Sequence, residues 1–143
     1  MNGTSRNGFS PNATTTRGMI VTILARVEGV NTNGTPWYAA GQKWAMDNGI
    51  SDGTNMVGEV TREQLAAILY RYAGSPAASS SALNGFADQS AVSSYAVTAM
   101  QWAVGNGIIT GVSTNGRTTL SAKNNATRAQ VSVMLHRFLT MEQ

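Results

Sequence analysis

Three times in this chain a Thr-Arg pair opens an apolar run of helical period: TTTRGMIVTILARVEG at 14–29, VTREQLAAILYRYAG at 60–74 and ATRAQVSVMLHRFLT at 126–140. A second arginine (Arg26, Arg71, Arg137) follows nine residues after the first (Arg17, Arg62, Arg128) in every copy. Between them the apolar positions superpose: Ile20, Ile23, Leu24 and Val27; Leu65, Ile68, Leu69 and Tyr72; Val131, Met134, Leu135 and Phe138. That i, i+3, i+4, i+7 spacing gives each helix one apolar stripe. Three ordered copies make this a repeat protein, whose units bury their stripes only by packing on one another.

The first arginine of each copy stands at the wrong end of its helix. A helix N-terminus carries a partial positive charge and favours Asp or Glu. The residues before each arginine are good caps: Thr61 with Gln64 and Thr127 with Gln130 fit a capping box, while Thr16 has Met19 at that position. Arg26, Arg71 and Arg137 fall near the C-termini, where the dipole favours cations, and a structural role suits them. A second element precedes two of the arginine helices. WYAAGQKWAMDNGI at 37–50 and YAVTAMQWAVGNGI at 95–108 share W-A-x-x-N-G-I. This reads as an amphipathic helix closed by Asn-Gly, with the glycine supplying the left-handed turn. The unit is therefore helix A, a Gly-rich loop, then the arginine helix B, and the fold class is all-α. Turn-rich linkers lie at 29–36 and 74–81.

Function classes narrow by composition. Only 12% of the 143 residues are charged, so the polar surface is built from Asn, Ser, Thr, Gly and Gln, a surface suited to a weakly charged polyhydroxylated ligand. The net charge is +3 with no Lys/Arg run, which argues against nucleic acid as a partner. Without cysteine there is no disulfide, redox or thiolate metal site. His136 is the only histidine, and Asp47, Asp52 and Asp88 form no acid/base pair of fixed spacing. NGIITG follows a helix rather than a strand, so no phosphate loop is indicated. We expect no enzyme chemistry, no cofactor and no metal. No apolar stretch is long enough to span a bilayer, and no signal peptide opens the chain, so a protein expressed as written would be cytoplasmic.

The first copy is incomplete. Placing Met1 on Ile109 aligns Gly3 with Gly111, Ser5 with Ser113 and Asn7-Gly8 with Asn115-Gly116, and Phe9-Ser10 then meets Leu120-Ser121. The first unit thus lacks helix A, either because translation starts at an internal methionine or because a longer protein was trimmed. The expected division is a partial first repeat at 1–29, a second at 30–74, a linker at 75–81 and a third at 82–143.

W-A-x-x-N-G-I, then Phe9-Ser10-Pro11-Asn12, then T-R-x-[EQ], then L-x-R at the helix end resembles the S-layer homology family over essentially the whole chain. Phe86-Ala87-Asp88 is similar to the family's F-x-D opening and Trp37-Tyr38 to its W-Y start. The second copy departs by a shortened loop, with 12 positions from Ile50 to Arg62 against 20 from Ile108 to Arg128. The resemblance implies a pseudo-threefold bundle tethering a parent protein to the bacterial cell wall. It would bind secondary cell-wall polysaccharide, often at a pyruvate ketal, in grooves between modules. Carried onto this sequence, the key arginines are Arg17, Arg62 and Arg128, with Gln64 and Gln130 beside them. Gly18-Met19 interrupts the motif after Arg17. Trp44 and Trp102, beside Ala and Ile, suit the core, but sugar stacking keeps both among the candidates. The expected chemistry is a carboxylate held by a guanidinium together with free N–H groups at a helix N-terminus. Loss of one helix should also expose the stripe of helix 16–28, inviting self-association or a protein partner. That supports an alternative reading, an intracellular protein-binding or inhibitory fragment.

Overall fold

The computed structural model describes residues 15–114 and 116–141. The elements are α1 (Arg17–Val27), α2 (Ala39–Asp47), α3 (Arg62–Tyr72), 3-10 turns at Gln89–Ala91 and Ser94–Ala96, α4 (Val97–Gly105), β1 (Val112–Thr114), β2 (Arg117–Thr119) and α5 (Arg128–Met141). The arginine helices begin where their caps place them. Thr61 Oγ1 accepts the Gln64 N–H at 3.3 Å and Gln64 Oε1 accepts the Thr61 N–H at 2.9 Å. Thr127 and Gln130 repeat the exchange at 3.2 and 3.1 Å, while Thr16 caps Met19 alone at 3.2 Å. The Asn-Gly stops also form as the sequence implies. Asn48 and Asn106 turn their side-chain amides back onto the Trp44 and Trp102 carbonyls. Gly49 and Gly107 take φ of 69° and 74°, and Ile50 and Ile108 return to the core.

The all-α expectation needs one correction. The fold is broadly helical, but β1 and β2 pair antiparallel, Val112 opposite Thr119, within the long loop before α5. β-Branched Val and Thr flank a turn with Gly116 at φ 78°, which suits a short hairpin. The hairpin is pinned from outside. The Ala87 N–H donates to the Thr118 carbonyl, and the Asp88 carboxylate accepts the N–H groups of Leu120 and Ser121 at 2.7 and 3.0 Å.

The first two arginine helices each pack against the W-A-x-x-N-G-I helix that follows: α2 lies on α1, and α4 on α3. Gly41 permits the first approach, since a Cβ there would stand 2.8 Å from Thr22 Oγ1. Ile20, Leu24, Leu65, Leu69, Trp102 and Phe138 are fully or almost fully buried. Each such side chain contributes about 1.5–3 kcal/mol by leaving water. An aromatic chain runs through the core, Trp44 to Tyr72 (5.8 Å), Tyr72 to Phe138 (5.7 Å), Phe138 to Trp102 (5.8 Å) and Trp102 to Tyr70 (5.6 Å).

The expected exposure of the α1 stripe is overturned. Ile20, Val21, Leu24 and Ala25 are each 0% exposed, and only Val27, at 49%, stands in solvent. The helix contact that covers α1 comes from α2, so the unpartnered groove does not form along this stripe. The alignment of 1–14 and the Phe9-Ser10-Pro11-Asn12 segment lie outside the described residues.

One long-range contact recurs. The Arg17 and Gly18 N–H groups donate to the carbonyls of Gly58 and Met56, and those of Arg62 and Glu63 to Asn124 and Ala122. Beside them, the Val60 N–H meets the Thr15 carbonyl and the Ala126 N–H the Val60 carbonyl, at 2.8 and 2.9 Å. The loop ahead of each later arginine helix thus seats on the start of the previous one.

Candidate functional site

Helical geometry decides which arginines can meet. At 100° per residue, a separation of nine turns the second arginine to the side of the helix opposite the first. One helix therefore presents its two arginines to two different neighbours. A groove forms where the first arginine of one helix faces the second arginine of the next.

Two such grooves are present among the described residues. One, of about 370 Å³, lies between the start of α1 and the flank of α3, lined by Arg17, Gln64, Ala67, Ile68 and Arg71. Ser51, Asp52 and Tyr95 complete its wall. The other, of about 270 Å³, is lined by Arg62 from the start of α3 and by Gln130, Val133, Met134 and Arg137 of α5. The segment Ile108–Val112 and Ala129 close it. The two correspond position by position: Arg17 to Arg62, Gln64 to Gln130, Ala67 to Val133, Ile68 to Met134, Arg71 to Arg137. Gln64 and Arg71 share a face because seven residues make nearly two turns, and so do Gln130 and Arg137.

The arginines differ in what they can offer. Arg62 is 5% exposed, and its Nε donates to the Leu120 carbonyl at 2.9 Å. Burial lowers its pKa and the neighbouring Asp88 carboxylate opposes that shift. Arg17 is half-buried, and its Nη1 reaches the Thr54 carbonyl and hydroxyl, both at 3.4 Å. Arg71 and Arg137 are exposed, each with Nη1 a long 3.5 Å from the carbonyl of Ile50 or Ile108. Arg128 is 4% exposed and lines neither of the two grooves.

The expected role of the helix ends is not what forms at α1 and α3. The first two N–H groups of each helix are taken by loop carbonyls, and the third by the capping threonine. Only the guanidinium remains for an anion there. The tryptophan candidates are corrected too. Trp102 is 2% exposed between Tyr70 and Phe138, leaving no open ring face. Trp44 is half-buried against Tyr72 and lines neither groove. Of the seven expected ligand residues, Arg17 and Gln64 meet in one groove and Arg62 and Gln130 in the other.

Sequence reading missed Arg71, Arg137, Ser51, Asp52 and Tyr95. The seven-residue step from each glutamine to the second arginine was the available signal. Tyr95 is 53% exposed. Its pKa is raised, first by burial of the phenol and then by the Glu63 carboxylate that accepts its hydrogen bond. Glu63 is itself 4% exposed and also accepts the Ser93 N–H at 3.0 Å. Asp52 Oδ1 accepts the Thr54 hydroxyl at 2.7 Å and the Thr54 N–H at 3.0 Å. Its pKa is lowered by those two bonds in that order, with a smaller contribution from Arg17.

Residues 85–132, which run from ahead of α4 through the hairpin into the first turns of α5, match the family model of the S-layer homology domain. This third of the chain is thus similar to an S-layer homology domain. S-layer homology domains are binding modules that mediate attachment to cell-wall polysaccharide. No curated protein matches the chain. No helix among the described residues is long and apolar enough to cross a membrane.

Proposed function

We propose that the chain binds an anionic secondary cell-wall polysaccharide, of the pyruvylated type, in its inter-helix grooves, and that this anchors a parent protein to the cell surface. One observation carries the reading: the same set of Arg, Gln, apolar floor and second Arg recurs at two successive junctions. A guanidinium pair gives bidentate and charge-assisted contacts to a carboxylate. Glutamine oxygens are engaged in the caps, so the amide nitrogen is the end that meets sugar oxygens. The reading extends to a pseudo-threefold arrangement of repeats at 1–29, 30–74 and 82–143, with Arg128 serving a third junction.

The test is calorimetry with pyruvylated cell-wall polysaccharide, before and after mild-acid removal of the ketal, on wild type and Arg137→Gln. Arg137 is exposed, so the variant should fold normally. We expect ketal-dependent binding that weakens roughly tenfold or more in the variant, the size of one charge-assisted contact. No binding by a folded wild-type chain would remove this function from the protein.

A further inference from the structure

Two of the three arginine helices carry a second helix on the same face. On α1 that face is Gly18, Val21, Thr22 and Ala25, spaced as one stripe of a helix. A Cβ added to Gly18 would lie 3.1 Å from the Trp37 ring, and one added to Gly41 of α2 would lie 2.8 Å from Thr22 Oγ1. On α3 the matching stripe is Glu63, Ala66, Ala67 and Tyr70. Glu63 accepts the hydrogen bond of the Tyr95 hydroxyl, and the Tyr70 ring centre lies 5.6 Å from that of Trp102 in α4. Trp37 and Tyr95 hold one place in the repeat, seven residues ahead of Trp44 and Trp102. The covering helix thus sets an aromatic residue against the start of the arginine helix. Behind it comes a small residue, Gly41 in α2 and the buried Ala99 at the same place in α4.

On α5 the stripe is Ala129, Ser132, Val133 and His136, and among the described residues no helix packs along it as α2 does along α1. Val133 is 45% exposed, whereas its counterparts Thr22 and Ala67 are buried. His136 is exposed, whereas Ala25 is buried. Val133 has the same branched shape as Thr22, so a helix with glycine at the place of Gly41 fits α5 as it fits α1. Ser132 and His136, in place of Val21 and Ala25, keep the open face compatible with water. Both helices of this class in the sequence are engaged on α1 and α3, so the occupant of α5 comes from another chain.

We infer that the 129–136 flank of α5 is a docking site for an amphipathic helix of a second protein, with an aromatic residue ahead of its first turn and a glycine facing Val133. The aromatic residue meets Ala129 and walls the α3/α5 groove, as Tyr95 walls the α1/α3 groove. The surface does not depend on glycan binding.

The probe is a fluorescein-labelled synthetic peptide of residues 37–51, which carries Trp37 and Gly41. It is titrated into the full chain and followed by fluorescence anisotropy, with circular dichroism on the unlabelled peptide. A helix this short is marginal alone, so docking should raise its helicity. We expect saturable binding that weakens roughly tenfold or more in Val133→Asp, with thermal melts confirming that the variant folds. The peptide carrying Gly41→Leu should fail to bind wild type, although leucine favours a helix more than glycine does. That arm leaves the protein unchanged. Absence of saturable binding to the folded chain would overturn the site. Undiminished binding by Val133→Asp, with amide shifts on α1 rather than α5, would mean that the peptide replaces α2, and would overturn it too. Dimers seen by sedimentation, abolished by Val133→Asp and unaffected by peptide, would give the face to a second copy and overturn the proposed occupant.

Discussion

Arg62 and Arg137 line the same groove under opposite physical constraints. Arg62 is buried, bonded to the Leu120 carbonyl and close to Asp88, so it belongs to the fold as much as to any ligand. Arg62→Ala should cost about 1–3 kcal/mol in urea unfolding, because a buried acceptor loses its donor. Arg137 is exposed, and Arg137→Gln should stay within about 0.5 kcal/mol of wild type. Tyr95 gives a second residue-scale prediction. Its phenol titrates above the ordinary tyrosine range, first through burial and then through the Glu63 carboxylate. The stabilisation from keeping that proton is complete below the ordinary tyrosine pKa and is lost as pH rises through the folded value. Absorbance titration of Glu63→Gln, with Tyr95→Phe identifying the phenol, should show the Tyr95 pKa moving down. An unchanged alkaline titration would separate Tyr95 from Glu63.

At the scale of elements, the caps and stops were legible because their physics is local. Thr61 and Gln64 meet within one turn, and Thr61→Ala should cost about 1 kcal/mol by chemical denaturation, with no change in the groove opposite. The hairpin was legible in principle: Val-Ser-Thr and Arg-Thr-Thr flank Asn115-Gly116, a turn dipeptide. Reading that stretch as an undivided loop gave the all-α expectation its error. What no local pattern carries is the docking of Met56, Gly58, Ala122 and Asn124 onto helix starts far away in sequence. That docking removes the N–H groups on which the expected anion site at α1 and α3 relied. Gly18, which interrupts the motif after Arg17, has its reason in the same contact. A Cβ there would lie 2.8 Å from the Met56 carbonyl oxygen, so the close seat requires glycine.

Over the whole molecule, the nine-residue arginine spacing becomes a connection rule. Each arginine helix reaches one neighbour with its first arginine and the other with its second, so the binding surface exists only once the helices have packed. This is why the sequence identified Arg17, Arg62, Gln64 and Gln130 but set aside Arg71 and Arg137, whose role depends on a partner helix. It also explains the tryptophans: Trp44 and Trp102 join the aromatic chain that holds α2, α3, α4 and α5 together, and the grooves are left to arginine, amide and tyrosine. The central claim is that the grooves between arginine helices hold the glycan. Titration of isotope-labelled protein with pyruvylated polysaccharide, followed through the side-chain amide signals of Gln64 and Gln130, tests it most directly. Saturable shifts of both pairs, with the Gln42 amide on α2 unmoved, are the predicted result. Shifts confined to α2, with Gln64 and Gln130 unchanged at saturation, would contradict it.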